Sequence, residues 1–112
     1  MQIDKKTFDG ITVLRIQEAR IDAARAPALK QMLLSACEAG ETRIAIDLNQ
    51  VEFMDSSGLG ALVSVLKTIG ARGDLVLFGV KGLVGDLFKM TRMNRVFVIS
   101  DDEETAVRKL NP

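Results

Sequence analysis

The stretch Ile44-Ala45-Ile46-Asp47-Leu48-Asn49-Gln50-Val51-Glu52-Phe53-Met54-Asp55-Ser56-Ser57-Gly58-Leu59-Gly60 decides the fold of this chain. Its first five residues are a strand-like apolar run, extended by Val51 and Phe53. An acid, two hydroxyls and two glycines follow, and a long apolar helix pattern starts at once. A strand that feeds a helix through a short polar turn is the unit of an α/β protein.

The flanking segments repeat that unit. Residues 3–8 and 11–17 read as two strands joined by Asp9-Gly10, a strong hairpin signal. Residues 26–39 read as a helix with Pro27 in its first turn, an apolar stripe of Leu29, Met32, Leu33, Ala36 and Cys37, and Gly40 at its close. Arg43 to Leu48 is the third strand and residues 56–70 the second helix. Asp74 to Val80 is apolar at nearly every position, as in a strand covered on both faces. Residues 83–91 read as a short helix with Leu83, Leu87 and Phe88 inward, and Val96 to Ile99 as the last strand. Asp101 or Asp102 caps a final helix with Glu103 and Glu104 early and Arg108 and Lys109 late, the favourable sense for the helix dipole. The expected order is ββαβαβαβα: one α/β domain over residues 1–112, with a mostly parallel mixed sheet, an antiparallel edge hairpin and flanking helices.

Composition narrows the function. The 15 basic and 15 acidic residues balance, which with few aromatics argues against nucleic-acid binding. No apolar run reaches membrane-spanning length and the N-terminus lacks a signal-peptide pattern, so no direct membrane insertion and a cytoplasmic location are expected. The chain has no histidine, the commonest general base and metal ligand. No phosphate-loop motif is present, and neither a metal nor a cofactor is expected. Ser56 acting as a hydrolase nucleophile would lack a base, so the protein is read as a non-enzyme. Cys37 is alone and is read as core packing.

On a helical wheel the second helix divides in two. Gly58, Leu59, Leu62, Val63, Val65, Leu66, Ile69 and Gly70 face the sheet. Ser56, Ser57, Gly60, Ala61, Ser64, Lys67 and Thr68 face out, and nearly all are small. Gly60 on that outer arc costs about 0.8–1.0 kcal/mol relative to alanine. Either it is unselected surface, or it keeps a docking face smooth. Gly58 lies on the inner arc, where close packing is the simpler role. Asp55, Ser56 and Ser57 stand where helix N–H groups lack partners, so they are either an ordinary cap or a modification site.

At these residues the chain resembles a known family. Val51 through Gly60 is similar to the core motif of the STAS-domain anti-sigma factor antagonists. Arg20-Ile21-Asp22-Ala23-Ala24 with Ala26-Pro27-Ala28-Leu29 resembles the segment between its second strand and first helix, and Leu87-Phe88-Lys89-Met90-Thr91 its third-helix pattern. The resemblance spans nearly the whole chain. It implies a partner switch. The unphosphorylated antagonist binds an anti-sigma factor that is also a serine kinase of the histidine-kinase-like ATPase type, and frees the target. Phosphorylation at the position of Ser56 blocks binding, and a metal-dependent serine phosphatase restores it. The implied partner-binding set is Asp22, Asp55, Ser57, Gly58, Gly60, Ser64 and Lys67, on a protein expected to be monomeric when free. The alternative within the same fold is a subunit of a lipid-transport or other membrane-transport complex that binds without phosphorylation. Two departures stand out. Ala19 replaces a frequent glycine, which leaves that turn open. Arg92-Met93 replaces the usual glycine and leucine, so Met90 and Met93 are either core or an adaptable apolar patch.

Overall fold

The computed structural model describes residues 1–70 and 73–111; Ala71, Arg72 and Pro112, within the expected domain span, lie outside the described residues. Strands β1 (Ile3–Phe8) and β2 (Ile11–Ile16) pair antiparallel with Phe8 opposite Ile11. Asp9 and Gly10 between them both have positive φ, 52° and 77°, as a two-residue hairpin turn demands. From β2 onward the main sheet is parallel. Strands β4 (Arg43–Asp47), β6 (Asp74–Phe78) and β7 (Val98–Ser100) extend it in the order β1-β2-β4-β6-β7.

Alternate residues of these strands feed two cores, because a strand's side chains alternate between faces. Leu14, Ile16, Ile44, Ile46, Leu75 and Leu77 join helices α1 (Ala26–Glu38), α2 (Ser56–Ile69) and α3 (Gly82–Met90) in the larger core. Ile11, Val13, Ala45, Val76 and Phe78 meet Ala106 and Leu110 of α4 (Glu103–Leu110) on the other face. Each fully buried Leu, Ile or Phe contributes about 1.5–3 kcal/mol, so the sheet is held from both sides.

Several expectations are corrected. A second, two-stranded sheet pairs β3 (Arg20–Ile21) in parallel with β5 (Phe53–Met54). Strands of two residues are too short to show a periodic pattern, so the expected order lacked both. In α3 Phe88 is buried and Leu87 packs partly on the core, as expected, but Val84 takes the other inward position and Leu83 is 64% exposed. Met32 of the α1 stripe is exposed, and Cys37 is half-buried against the larger core. The last strand starts at Val98. Residues Met93–Arg95 form a 3-10 turn that drops Phe97 edge-on against Phe88, 5.7 Å between ring centroids, and leaves Val96 exposed. Met90 is 80% exposed while Met93 packs partly on the core, so the two methionines divide between the two readings. No described helix is long and apolar enough to cross a membrane.

Candidate functional site

The site is built where β3 and β5 end. Ile21 stands opposite Met54, and the Asp55 amide donates to the Ile21 oxygen at 3.3 Å. The amides of Glu52 and Phe53 donate to the Ala19 oxygen at 2.8 and 3.0 Å. Ala19 does not have the positive φ that would call for glycine, so the departure there carries no strain. In a parallel pair, residues at one level are about 4.8 Å apart. Asp22 and Asp55, one step past the paired residues, therefore leave the ladder side by side.

Both aspartates bond backbone amides just after them, but only Asp55 caps a helix. Asp55 has extended backbone and its Oδ1 accepts from the amides of Ser57 (2.9 Å) and Gly58 (3.1 Å), an N-cap of α2. This settles the cap: the carboxylate makes it, and neither serine hydroxyl is needed for it. Ser56 is the first residue of α2 and is exposed. Asp22 Oδ1 accepts from the amides of Ala24 (3.2 Å) and Arg25 (3.3 Å) at the entry to α1. Its Oδ2 faces Arg20 Nε at 3.9 Å and Arg25 Nη1 at 3.6 Å. Arg25 Nε also donates to Glu18 at 3.3 Å, and the Arg20 guanidinium lies 4.3 Å from the centre of the Phe53 ring.

The outer face of α2 is smooth. A Cβ on Gly60 would meet nothing within 4 Å. The hydroxyls of Ser64 and Thr68 fold back onto the carbonyl oxygens of Gly60 (3.1 Å) and Ser64 (3.0 Å) and do not project. Ala61 departs from the expected outward set: it is buried where α1 packs on α2. Between the two helices runs a groove of about 390 Å³, walled by Ala23, Ala26, Pro27 and Lys30 on one side and by Ser57, Gly60, Ala61 and Ser64 on the other. Lys67 is exposed in the last turn, about 16 Å along the helix from Ser56.

Gly58 lies on the inner arc, as the helical wheel places it. It is buried, and a Cβ there would lie 2.7 Å from Met54 Cγ and 2.8 Å from both Ile21 Cγ2 and the Ile21 oxygen. It seats α2 on the β3–β5 ladder, and its burial leaves no side of it on the open face of α2. The structure thus brings Asp22, Asp55, Ser56 and Ser57 to one end, lines Gly60 and Ser64 along the groove, and leaves Lys67 at the far end. Sequence reasoning missed Arg20, Arg25, Phe53 and the α1 wall. A signal for the pairing was present: Arg20-Ile21-Asp22 and Phe53-Met54-Asp55 are matching triplets of a large side chain, an apolar residue and an aspartate.

A family model described as STAS domain matches residues 2–106. An anti-sigma-B factor antagonist of Listeria monocytogenes is 33% identical over 104 residues, 92% of this chain and 90% of the relative. The crystal structure of an anti-sigma factor antagonist from Mycobacterium paratuberculosis superimposes with a TM-score of 0.91 at 22% identity, covering 99% of this chain and 94% of that one. The Bacillus protein SpoIIAA in its phosphorylated form superimposes with a TM-score of 0.72 at 18% identity, covering 98% and 100%. At those identities the two structures establish the fold alone.

Proposed function

The chain belongs to the STAS domain family, and from that membership we propose that it is an anti-sigma factor antagonist working as a partner switch. In the unmodified state the face formed by Ser56, Ser57, Gly60 and Ser64 with the α1 wall docks on an anti-sigma factor that is also a serine kinase of the histidine-kinase-like ATPase type. The kinase phosphorylates Ser56 and the complex parts. A metal-dependent serine phosphatase resets it. The protein acts by binding and is substrate, not catalyst, in the phosphoryl transfer.

One observation carries this reading: Asp55 caps α2 alone, so the Ser56 hydroxyl is free for modification at the head of an open, small-residue face. The physics of a phosphate there fits a switch. It adds about −1.5 to −2 charges. In the free protein the helix dipole favours that charge by roughly 0.3–1 kcal/mol, while Asp55 and Asp22 oppose it in solvent, so the fold survives. In a docked interface water is excluded. One unit-charge repulsion at 4 Å and an effective dielectric of 20 is about 4 kcal/mol. Half of that weakens binding more than about tenfold.

Affinity capture with wild type, Ser56→Ala and Ser56→Glu, read by mass spectrometry, tests the reading. Wild type and Ser56→Ala are expected to retain an ATPase-type serine kinase, and Ser56→Glu to lose it. Equal capture of a transporter ATPase by all three would contradict the switch and favour the membrane-transport subunit.

A further inference from the structure

We infer that Arg20 and Arg25 are an intramolecular receiver for the phosphoryl group on Ser56, so that the modified protein turns two of its own cations onto the phosphate. The inference rests on the phosphorylation of Ser56 proposed above and names how the modified state is held.

A phosphate on Ser56 enters an unfavourable neighbourhood unless cations reach it. The nearest helix amides, those of Ser57 and Gly58, already donate to Asp55. Asp22 leaves the ladder beside Asp55, so two carboxylates flank the modified residue. Charged groups near this end among the described residues include Glu18, Arg20 and Arg25 around Asp22, Glu52 just before β5, and Lys30 on the α1 wall.

The two arginines are placed to move. Their contacts to Asp22 Oδ2, 3.9 and 3.6 Å, are ion-pair distances and longer than the 2.7–2.9 Å of a charge-assisted hydrogen bond. Arg25 is also held by Glu18 at 3.3 Å. Their side chains are 57% and 46% exposed, so neither is locked. Arg20 already rests on the Phe53 ring, which orients its plane and leaves its N–H edge available. A guanidinium presents a fork that matches phosphate oxygens, and a dianion attracts it more strongly than a carboxylate does. Arg20 stands opposite Phe53, two residues before Asp55, and Arg25 stands at the entry to α1, three residues past Asp22. The movement inferred is a change of rotamer that swings both guanidinium groups from Asp22 toward Ser56.

The test reads the phosphate itself. Phosphoserine is installed at position 56 during translation, and its second ionisation is followed by phosphorus NMR. Arginines stabilise the dianion and so lower that pKa. The double variant Arg20→Gln with Arg25→Gln is expected to raise it by about 1 unit, with the single variants between. Arg108→Gln, on α4 across the sheet, is expected to leave it unchanged. As a second readout on the unsubstituted chain, the Nε–H signals of Arg20 and Arg25 are expected to shift between the serine and phosphoserine forms. The same pKa in wild type and double variant, or unmoved arginine signals, would overturn the receiver. Because the phosphoserine is supplied without a kinase, the outcomes separate. A cognate kinase that spares Ser56 contradicts the proposed function, and an unchanged pKa contradicts only the arginine contact.

Discussion

The amide of Asp55 donates to the main-chain oxygen of Ile21 at 3.3 Å, and this bond ties the head of α2 to the strand that precedes α1. The same Ile21 oxygen lies close under Gly58. One residue of β3 therefore sets both the height at which α2 starts and how closely it seats. Asp22 and Asp55 are brought level as a consequence, and the two helices they introduce form the walls of one groove.

Gly58→Ala is expected to destabilise the fold by about 1–3 kcal/mol, the usual cost of overpacking. The added carbon would meet a main-chain oxygen at 2.8 Å, and backbone yields less readily than a side-chain tip. A thermal melt checks this; an unchanged midpoint would mean that α2 does not rest on Ile21.

Gly60→Leu, two residues on, is expected to behave oppositely. Its side chain enters open space, and leucine has better helix propensity by up to about 1 kcal/mol. The melting temperature should hold or rise while affinity for the anti-sigma partner falls. A melt paired with a binding titration decides it. Unchanged affinity would remove this face from the docking surface.

Arg92→Gly is expected to stabilise the protein. Arg92 has φ 60° and ψ 19°, the left-handed region, which costs a non-glycine residue about 1–2 kcal/mol. Glycine removes that strain but loses more chain entropy on folding, which leaves a net gain of about 0.5–1 kcal/mol. Chemical denaturation measures it, and a loss of stability would show that the arginine side chain makes a compensating contact.

The cost of Asp102→Ala is expected to depend on pH. The Thr105 amide donates to the Asp102 carboxylate at 2.8 Å and holds its pKa below the ordinary 3.8, with the Thr105 side chain and Arg108 adding to this. A depressed folded-state pKa means that the cap's contribution is full above the ordinary carboxylate value and fades as pH falls through the folded one. Melting temperatures of wild type and variant should differ at neutral pH, and the gap should narrow as the solution is acidified below the ordinary 3.8 and through the lowered folded value. A gap that does not narrow on acidification would contradict the assignment.

The main sheet was legible because its signals are long or chemically specific. The apolar runs at Ile44 to Leu48 and Leu75 to Phe78, the Asp9-Gly10 turn and the α2 wheel all state their structure locally. The outward position of Gly60 came from that wheel. What escaped depends on contacts between distant segments. Arg20-Ile21 and Phe53-Met54 become strands only because they pair with each other. Ala61 is buried by α1, which a wheel of α2 alone does not contain. Leu83, Val84, Leu87 and Phe88 are all apolar, so the sequence of α3 does not by itself choose between Leu83 and Val84; packing turns Val84 inward. The receiver arginines lay in a segment whose partner strand was not foreseen.

Phosphorylation of Ser56 is expected to abolish docking without unfolding the protein. A titration of the anti-sigma factor with the unmodified and the Ser56-phosphorylated forms, with melts of both, tests it most directly. The phosphorylated form is expected to bind more than about tenfold more weakly, with melting temperatures that stay close. Equal affinity of the two forms would contradict it.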